Sequence, residues 1–535
     1  MRAATAVVEL LRSEGVDRVF GNAGTTELPL LAEVAGAPDL SYVLGLQEAS
    51  VVAMADGYAR ATRRPAFVNL HVAAGLANGL ANILNALRSH VPLVVSAGQQ
   101  DLRHLDQDPF LAADLVTLAS PVCKTAVEVR CAADVPMVLR RAFRDAAVAP
   151  AGPVFVSLPM NLLQEEVGSE LPARSALPVP GPAGGIESAA ATLRAAAAPA
   201  LVIGDGVARE DAVEEAVALA EALGAAVYQQ PFADGVGFPP RHPLFRGALE
   251  PVNATIARAL SDHDVVLIVG THAFAAHYYT PSAAVPPNVT LLQLDSDAAE
   301  VGRNYPVAHA LVGGLRPSLQ ALTLAVSGDE LPAQAHRGAG QTRVTASAGV
   351  APNGGCLDVR AAAAVLAAAL PERAVVVEEA VTSAAALRHA LAPDRPGTYH
   401  RSAGGGLGWG VGAAVGFALG SPGDPIVAVL GDGAAMYGIQ GLWSAAHEQV
   451  DVTFVVLNNR RYNALRVGLS RLGLDIDPDT VPGVDLSAPV IDWLMLARSL
   501  GVAAVRVDGK DDLHMAVAET VTGAGPRLID VPLME

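Results

Sequence analysis

The chain has 535 residues, a formal net charge of −18 from 36 basic and 54 acidic side chains, and a composition 51% hydrophobic but only 4% aromatic. Length suggests about three domains, the acidity argues against an electrostatic nucleic-acid footprint, and the cores should be aliphatic. Three cysteines, Cys123, Cys131 and Cys356, have no metal-type spacing and fit a reducing, cytoplasmic setting without structural disulfides.

The opening residues, with Val7, Leu10 and Leu11 on one face and charges at Arg12 and Glu14, predict an amphipathic helix and no secretory signal. A strand begins at 18–20 and runs into Gly21-Asn22-Ala23-Gly24-Thr25-Thr26-Glu27-Leu28-Pro29. Apolar runs at 42–46, 66–70 and 92–97 predict further strands with helical segments between them, so the sheet should be parallel. Glu48 stands just after the 42–46 run and opens a helix. An acid there is favoured by the helix dipole in any protein, so alone it carries no function. Asn69-Leu70-His71-Val72-Ala73-Ala74-Gly75 closes the 66–70 run, and a lone histidine on such a loop is more often structural.

The alternation fails at 166–188, a stretch containing LPARSALPVPGPAGG that reads as a linker. A second alternating block covers 189–325, with strands at 200–203, 265–269 and 290–294. It contains Gly204-Asp205-Gly206 after a strand but no GxGxxG fingerprint, so no flavin is expected there. His277 lies in THAFAAHYY after the 265–269 run. A second weak segment spans 327–355, and a third alternating block spans 356–535. Within it, 402–421 is uncharged but holds eight glycines, which suits a tight loop and a closely packed helix better than a membrane span.

The densest pattern is in this last block. A run at 426–430 ends in Gly431-Asp432-Gly433, a helical segment carries Ile439, Leu442, Trp443 and Ala446, and a second run at 452–457 ends in Asn458-Asn459. In an open parallel sheet both clusters emerge at the edge where ligands bind. Asp432 and Asn459 are hard oxygen donors, and glycines let a phosphate approach the backbone. That combination suits Mg²⁺, which keeps water and binds through few carboxylates.

The GDG and NN pair at this spacing resembles the thiamine-diphosphate (ThDP) enzymes. The three blocks resemble the decarboxylase and acetolactate synthase superfamily over essentially the whole chain. The resemblance implies an α/β fold of three doubly wound parallel-sheet domains: a pyrimidine-binding domain at 1–165, a middle domain at 189–325 and a diphosphate-binding domain at 356–535. It implies ThDP with Mg²⁺ (or Ca²⁺), held by Asp432, Asn459 and the carbonyl of Arg461. Gly433, Ala434, Tyr437 and Thr382 would line the cofactor. Gly405 would offer its carbonyl to the 4′-amino group, and Leu407 would wedge between the two rings. Glu48 would exchange a proton with N1′ of the aminopyrimidine. Because one subunit would supply Glu48 and another Leu407, Asp432 and Asn459, a homodimer is the minimum assembly and a homotetramer the expected one.

Two further segments resemble the benzoylformate decarboxylases, GNPGSNELP for 21–29 and NLHSAAG for 69–75. By that resemblance Thr25 meets the substrate carboxylate, and His71 and His277 are the active-site histidines. The implied activity is decarboxylation of a small 2-oxo acid, aromatic in kind, to an aldehyde and CO₂. The alternatives are a carboligase or lyase of the acetolactate synthase or benzaldehyde lyase kind, and a non-catalytic cofactor-binding homologue, against which intact Glu48, Asp432 and Asn459 argue. The chain departs from the family at Gly468, where an aromatic is usual, at Val381, where a hydroxyl is usual, and at Ala434, where a serine is usual. Phe110, Leu111 and Phe274 are the expected apolar pocket walls.

Overall fold

The computed structural model describes residues 1–328 and 357–534. Cys356 and all but the first two residues of the 327–355 segment therefore lie outside the described residues. The rest forms three six-stranded sheets in which every described pairing is parallel. The first contains β1 (Arg18–Asn22), β2 (Ser41–Leu44), β3 (Ala66–Leu70), β4 (Leu93–Gln99), β5 (Thr125–Glu128) and β6 (Val154–Pro159), in the order β2-β1-β3-β4-β6-β5. The second contains β7 (Pro199–Ile203), β8 (Ala226–Gln229), β9 (Phe245–Ala248), β10 (Val265–Val269), β11 (Thr290–Asp295) and β12 (His309–Val312), in the order β12-β11-β10-β7-β8-β9. The third contains β13 (Val375–Glu379), β14 (Tyr399–His400), β15 (Ile426–Gly431), β16 (Val452–Asn458), β17 (Ala503–Arg506) and β18 (Arg527–Pro532), in the order β14-β13-β15-β16-β18-β17. This is the expected α/β architecture of three parallel sheets.

Central strands such as β3, β10, β13 and β16 are buried along their whole length. Helices cover both faces of a parallel sheet, so such strands carry continuous apolar runs. The second strand ends at Leu44, leaving Gly45 and the exposed Leu46 outside it. Numbered within each sheet, the strand order of the first repeats in the third, 2-1-3-4-6-5. Among the described residues no helix is long and apolar enough to cross a membrane.

One compact unit comprises the described parts of Met1–Leu177, Asn353–Leu391 and Arg401–Glu535. Inside it, the helix Glu48–Thr62 packs along the helix Trp409–Gly420, and the glycines of 402–421 serve that contact. A Cβ on Gly57 would sit 2.1 Å from the Ala413 carbonyl oxygen, and one on Gly416 would sit 1.9 Å from that of Met54. Only glycine allows backbones to approach so closely. Asp56, fully buried, accepts from Trp409 Nε1 at 2.9 Å and from Arg60 Nε at 2.7 Å.

The second unit comprises the described parts of Pro178–Pro352 and Ala392–His400. Its sheet has the 3-2-1-4-5-6 order typical of dinucleotide-binding folds, yet its glycines are otherwise engaged. A Cβ on Gly204 would meet Thr271 and the Gly270 carbonyl within 2.3 Å, so these glycines serve packing between the loops after β7 and β10. Asp205 accepts from Asp234 N at 2.9 Å and from Gln230 Nε2. Burial, then the nearby Asp234 charge, pushes its carboxyl up to about 8, with Arg209 opposing. A raised folded-state value means stability that is complete below the ordinary carboxyl range and lost as pH rises through about 8. The melting temperature should therefore fall on going from pH 6 to pH 9, and Asp205→Asn should flatten that fall. Calorimetry at several pH values checks it; parallel curves would assign the dependence to other groups.

Candidate active site

In the first and third sheets the chain connections reverse direction at β1/β3 and at β13/β15. Ligands of open parallel sheets bind outside the carboxyl ends of the strands at such a point. The candidate residues of the first and third sheets gather at these carboxyl ends.

At the first, the turn Thr25–Glu27 follows β1, with Thr25 exposed and Thr26 and Glu27 buried. His71 follows β3 and caps the helix Val72–Arg88. Its Nδ1 lies 2.8 Å from Glu27 Oε2 and 3.2 Å from Thr26 Oγ. The next residue, Val72, is buried with φ +40°. A β-branched residue there is strained, and strain of this kind gathers at functional sites. Glu48 opens its helix behind Gln47, whose side chain accepts from Ser50 N at 3.1 Å. Asn78 Nδ2 donates to Glu48 Oε2 at 3.0 Å, and Oε1 has no hydrogen bond among the described residues. A Cβ on Gly75 would come within 3.2 Å of that second oxygen.

At the third sheet, Val381 (φ +43°, half exposed) and the exposed Thr382 follow β13. Gly405 has φ +76° and open space where a Cβ would be. The loop is tied down at Gly406, whose carbonyl accepts from Asn85 Nδ2 at 2.9 Å and whose N–H donates to Asn85 Oδ1 at 3.0 Å. Leu407 is half buried. Glu379 accepts from Trp409 N at 3.0 Å and Gly410 N at 3.1 Å, fixing the start of the following helix; burial pushes its carboxyl up to about 8.

Asp432 follows β15 and is 4% exposed. It accepts from Gly433 N at 2.9 Å and Arg460 N at 2.6 Å, and burial raises its carboxyl above the ordinary value. Asn459 follows β16 and accepts from Arg461 N at 3.1 Å. Its neighbour Asn458 is committed to Asp530, at 2.9 Å. The Arg461 carbonyl accepts from Asn463 N at 3.0 Å. Ala434 is buried and Tyr437 is 55% exposed. Gly433 has the Tyr462 ring within 2.5 Å of where a Cβ would be. One carboxylate, one amide oxygen and one carbonyl at adjacent strand ends form a hard, sparse donor set. It leaves coordination positions for water and phosphate, and so fits Mg²⁺.

No described hydrogen bond joins Glu48 to Gly405, Leu407 or Asp432. His277 belongs to the second unit, exposed, its ring edge-on to Phe232 and Tyr278. Phe274 is 5% exposed in that unit's core and packs on Tyr305. Phe110 is 85% exposed. The expected helix through Ile439 is two helices, Asp432–Ala435 and Gly441–His447. Between them Gly438 passes so close to Gly408 that a Cβ would lie 2.4 Å from its carbonyl oxygen. Sequence reasoning singled out neither Glu27 nor Asn78, which hold His71 and Glu48, nor Asn85 and Glu379, which hold the backbone flanking Gly405 and Leu407. Asn78 and Asn85 are seven apart on one helix, and that shared face was the available signal.

The comparisons fall on this geometry. Residues 1–118 match the N-terminal TPP binding domain of the thiamine pyrophosphate enzymes, 186–322 their central domain and 380–531 their C-terminal TPP binding domain. The chain belongs to the thiamine pyrophosphate enzymes. Within that family, it is 37% identical to a benzoylformate decarboxylase of Pseudomonas aeruginosa, over 99% of this chain and 98% of the relative. It is 32% identical to a putative acetolactate synthase large subunit of Mycobacterium tuberculosis, over 99% of each. The solved structure of a ThDP-dependent 4-hydroxybenzoylformate decarboxylase from Rhodococcus jostii superposes with a TM-score of 0.91 at 34% identity, covering 100% of this chain and 99% of that one. This thiamine pyrophosphate enzyme thus has relatives on both the decarboxylase and the synthase side of its superfamily.

Proposed function

We propose that the chain is a ThDP- and Mg²⁺-dependent decarboxylase of an aromatic, benzoylformate-like 2-oxo acid, releasing an aldehyde and CO₂ without oxidation. The observation that carries this reading is His71, held by the buried Glu27 carboxylate at the β1/β3 edge, with the exposed Thr25 in the same turn as Glu27. A histidine so held can deliver a proton to the carbon that loses CO₂, where a decarboxylase needs one and a carboligase brings a second carbonyl instead.

When bound, ThDP supplies the nucleophilic carbon and the electron sink. In this reading Asp432, Asn459 and the Arg461 carbonyl hold Mg²⁺, and Gly433, Ala434, Tyr437 and Thr382 line the cofactor. Gly405 and Leu407 orient its rings, while Glu48 holds and exchanges a proton at N1′. Thr25 receives the substrate carboxylate, and His71 and His277 move protons at the substrate oxygen and carbon, a role suited to imidazole near neutral pH. Segments 1–165, 189–325 and 356–535 serve as pyrimidine-binding, middle and diphosphate-binding domains, and the middle one carries no flavin. The enzyme works in the cytoplasm as a homodimer or homotetramer.

A panel of aromatic, branched and short 2-oxo acids tests the function, with CO₂, aldehyde and acyloin measured separately. Aldehyde matching CO₂ is expected, with aromatic acids preferred. Acyloin as the main product would make the enzyme a carboligase, the reading that the synthase relative keeps in view.

The same assay checks Gly468. It lies inside the helix Asn463–Arg471, none of whose residues is buried, so it serves no turn. Gly468→Phe should shift the ratio of kcat/KM between large and small acids, since apolar pockets discriminate by about 1–3 kcal/mol per methylene. Stability should hold, because glycine is itself a poor helix former. An unchanged ratio would move the substrate away from this helix.

A further inference from the structure

We propose that Glu27 is a positioning residue that fixes His71 with its proton on Nδ1, leaving Nε2 as the nitrogen that exchanges protons with the substrate. This goes beyond the proposed function but rests on its assignment of His71.

Glu27 is 1% exposed, and its oxygens face donors only. Oε2 accepts from Gly24 N at 2.7 Å and faces His71 Nδ1 at 2.8 Å. Oε1 accepts from Thr26 Oγ at 2.6 Å and Gly98 N at 2.9 Å. A carboxylate so surrounded is a pure acceptor, so the imidazole nitrogen facing it must donate. Thr26 agrees with the same assignment. Its single proton is committed to Glu27, so at 3.2 Å from Nδ1 the threonine oxygen can only accept. Two acceptors therefore converge on one ring nitrogen, and each requires Nδ1–H.

The surroundings are shaped to allow this. A Cβ on Gly24 would lie 2.4 Å from the His71 ring, and one on Gly98 would lie 2.0 Å from Glu27 Oε1. Both glycines leave the space that carboxylate and ring occupy. The ring is 23% exposed while the carboxylate is not, so only the imidazole has access to a ligand. With Nδ1–H engaged, Nε2 can take a proton and return it, the carboxylate stabilising the cation in between.

Nitrogen NMR of the holoenzyme labelled with ¹⁵N-histidine tests the assignment, the His71 signals being identified by their loss in His71→Ala. The wild type should show a protonated Nδ1 and an unprotonated Nε2. The opposite tautomer in the wild type would overturn the proposal, and that measurement needs no folded variant. Glu27→Gln presents an amide that can donate towards Nδ1. It should move His71 towards the Nε2–H form and lower kcat by about 10²- to 10⁴-fold, the usual worth of general acid–base catalysis, with ThDP affinity unchanged. An unmoved tautomer in Glu27→Gln would also overturn it. A moved tautomer with unchanged kcat would uphold Glu27 and instead remove His71 from the reaction.

Discussion

Glu48→Gln should give a folded protein that binds ThDP and turns over at least about 10²- to 10⁴-fold more slowly, the range general acid–base groups supply. Glutamine keeps the shape, and it keeps an oxygen for the Asn78 amide, which donates to Glu48 at 3.0 Å. The helix start is held by Gln47 and Ser50, so it does not depend on the charge. What glutamine cannot do is exchange a proton at N1′. The check is kcat for the leading 2-oxo acid, with cofactor affinity by calorimetry and melting temperature alongside. Wild-type kcat would take Glu48 out of its proposed role. A collapse of stability would mean instead that the Glu48–Asn78 contact is structural.

Asp432→Ala should abolish the stabilisation that Mg²⁺ and ThDP together give. A ligand at a hundredfold excess over its Kd adds about 2.7 kcal/mol to a folded state that alone binds it. In the wild type this should appear as a rise in melting temperature that needs both components. Exhaustive chelation should remove the activity, and neither component alone should restore it. In the variant the rise should be absent, because the only carboxylate of the donor set is gone. The apo protein should suffer less, since Asp432 is 4% exposed and burial works against its charged form. A normal rise in the variant would move the cation elsewhere.

The strands legible in the sequence were chiefly those buried on both faces. Runs such as Val265–Val269 and Ile426–Gly431 are unbroken and apolar because both sides of the sheet are covered. Edge strands such as β9 and β17 are partly exposed and mixed in character, and they went unread. So did β18, although it is buried, because Asp530 interrupts its run. That aspartate is tolerated there by Asn458 and by Arg506 at 3.2 Å, partners distant in sequence. In the candidate site, the motifs marked Asp432, Asn459, Glu48 and His71 because glycines and polar residues cluster visibly at strand ends. What holds those residues was not legible. Glu27 lay inside a quoted motif, but nothing local shows that it reaches a histidine 44 positions away. Asn85 likewise meets Gly406 across 321 positions.

The strand order shared by the first and third sheets makes their strand ends equivalent addresses. His71 directly follows the third strand of one sheet, and Asp432 directly follows the third strand of the other. At that address one copy of the plan presents an imidazole, and the other presents a carboxylate with backbone donors around it. In the proposed reading, proton handling and the handling of metal and diphosphate are thus two texts written on one template. Reassigning a chemistry within such a protein is a matter of a few residues after a strand, and the helices and cores behind them can stay as they are.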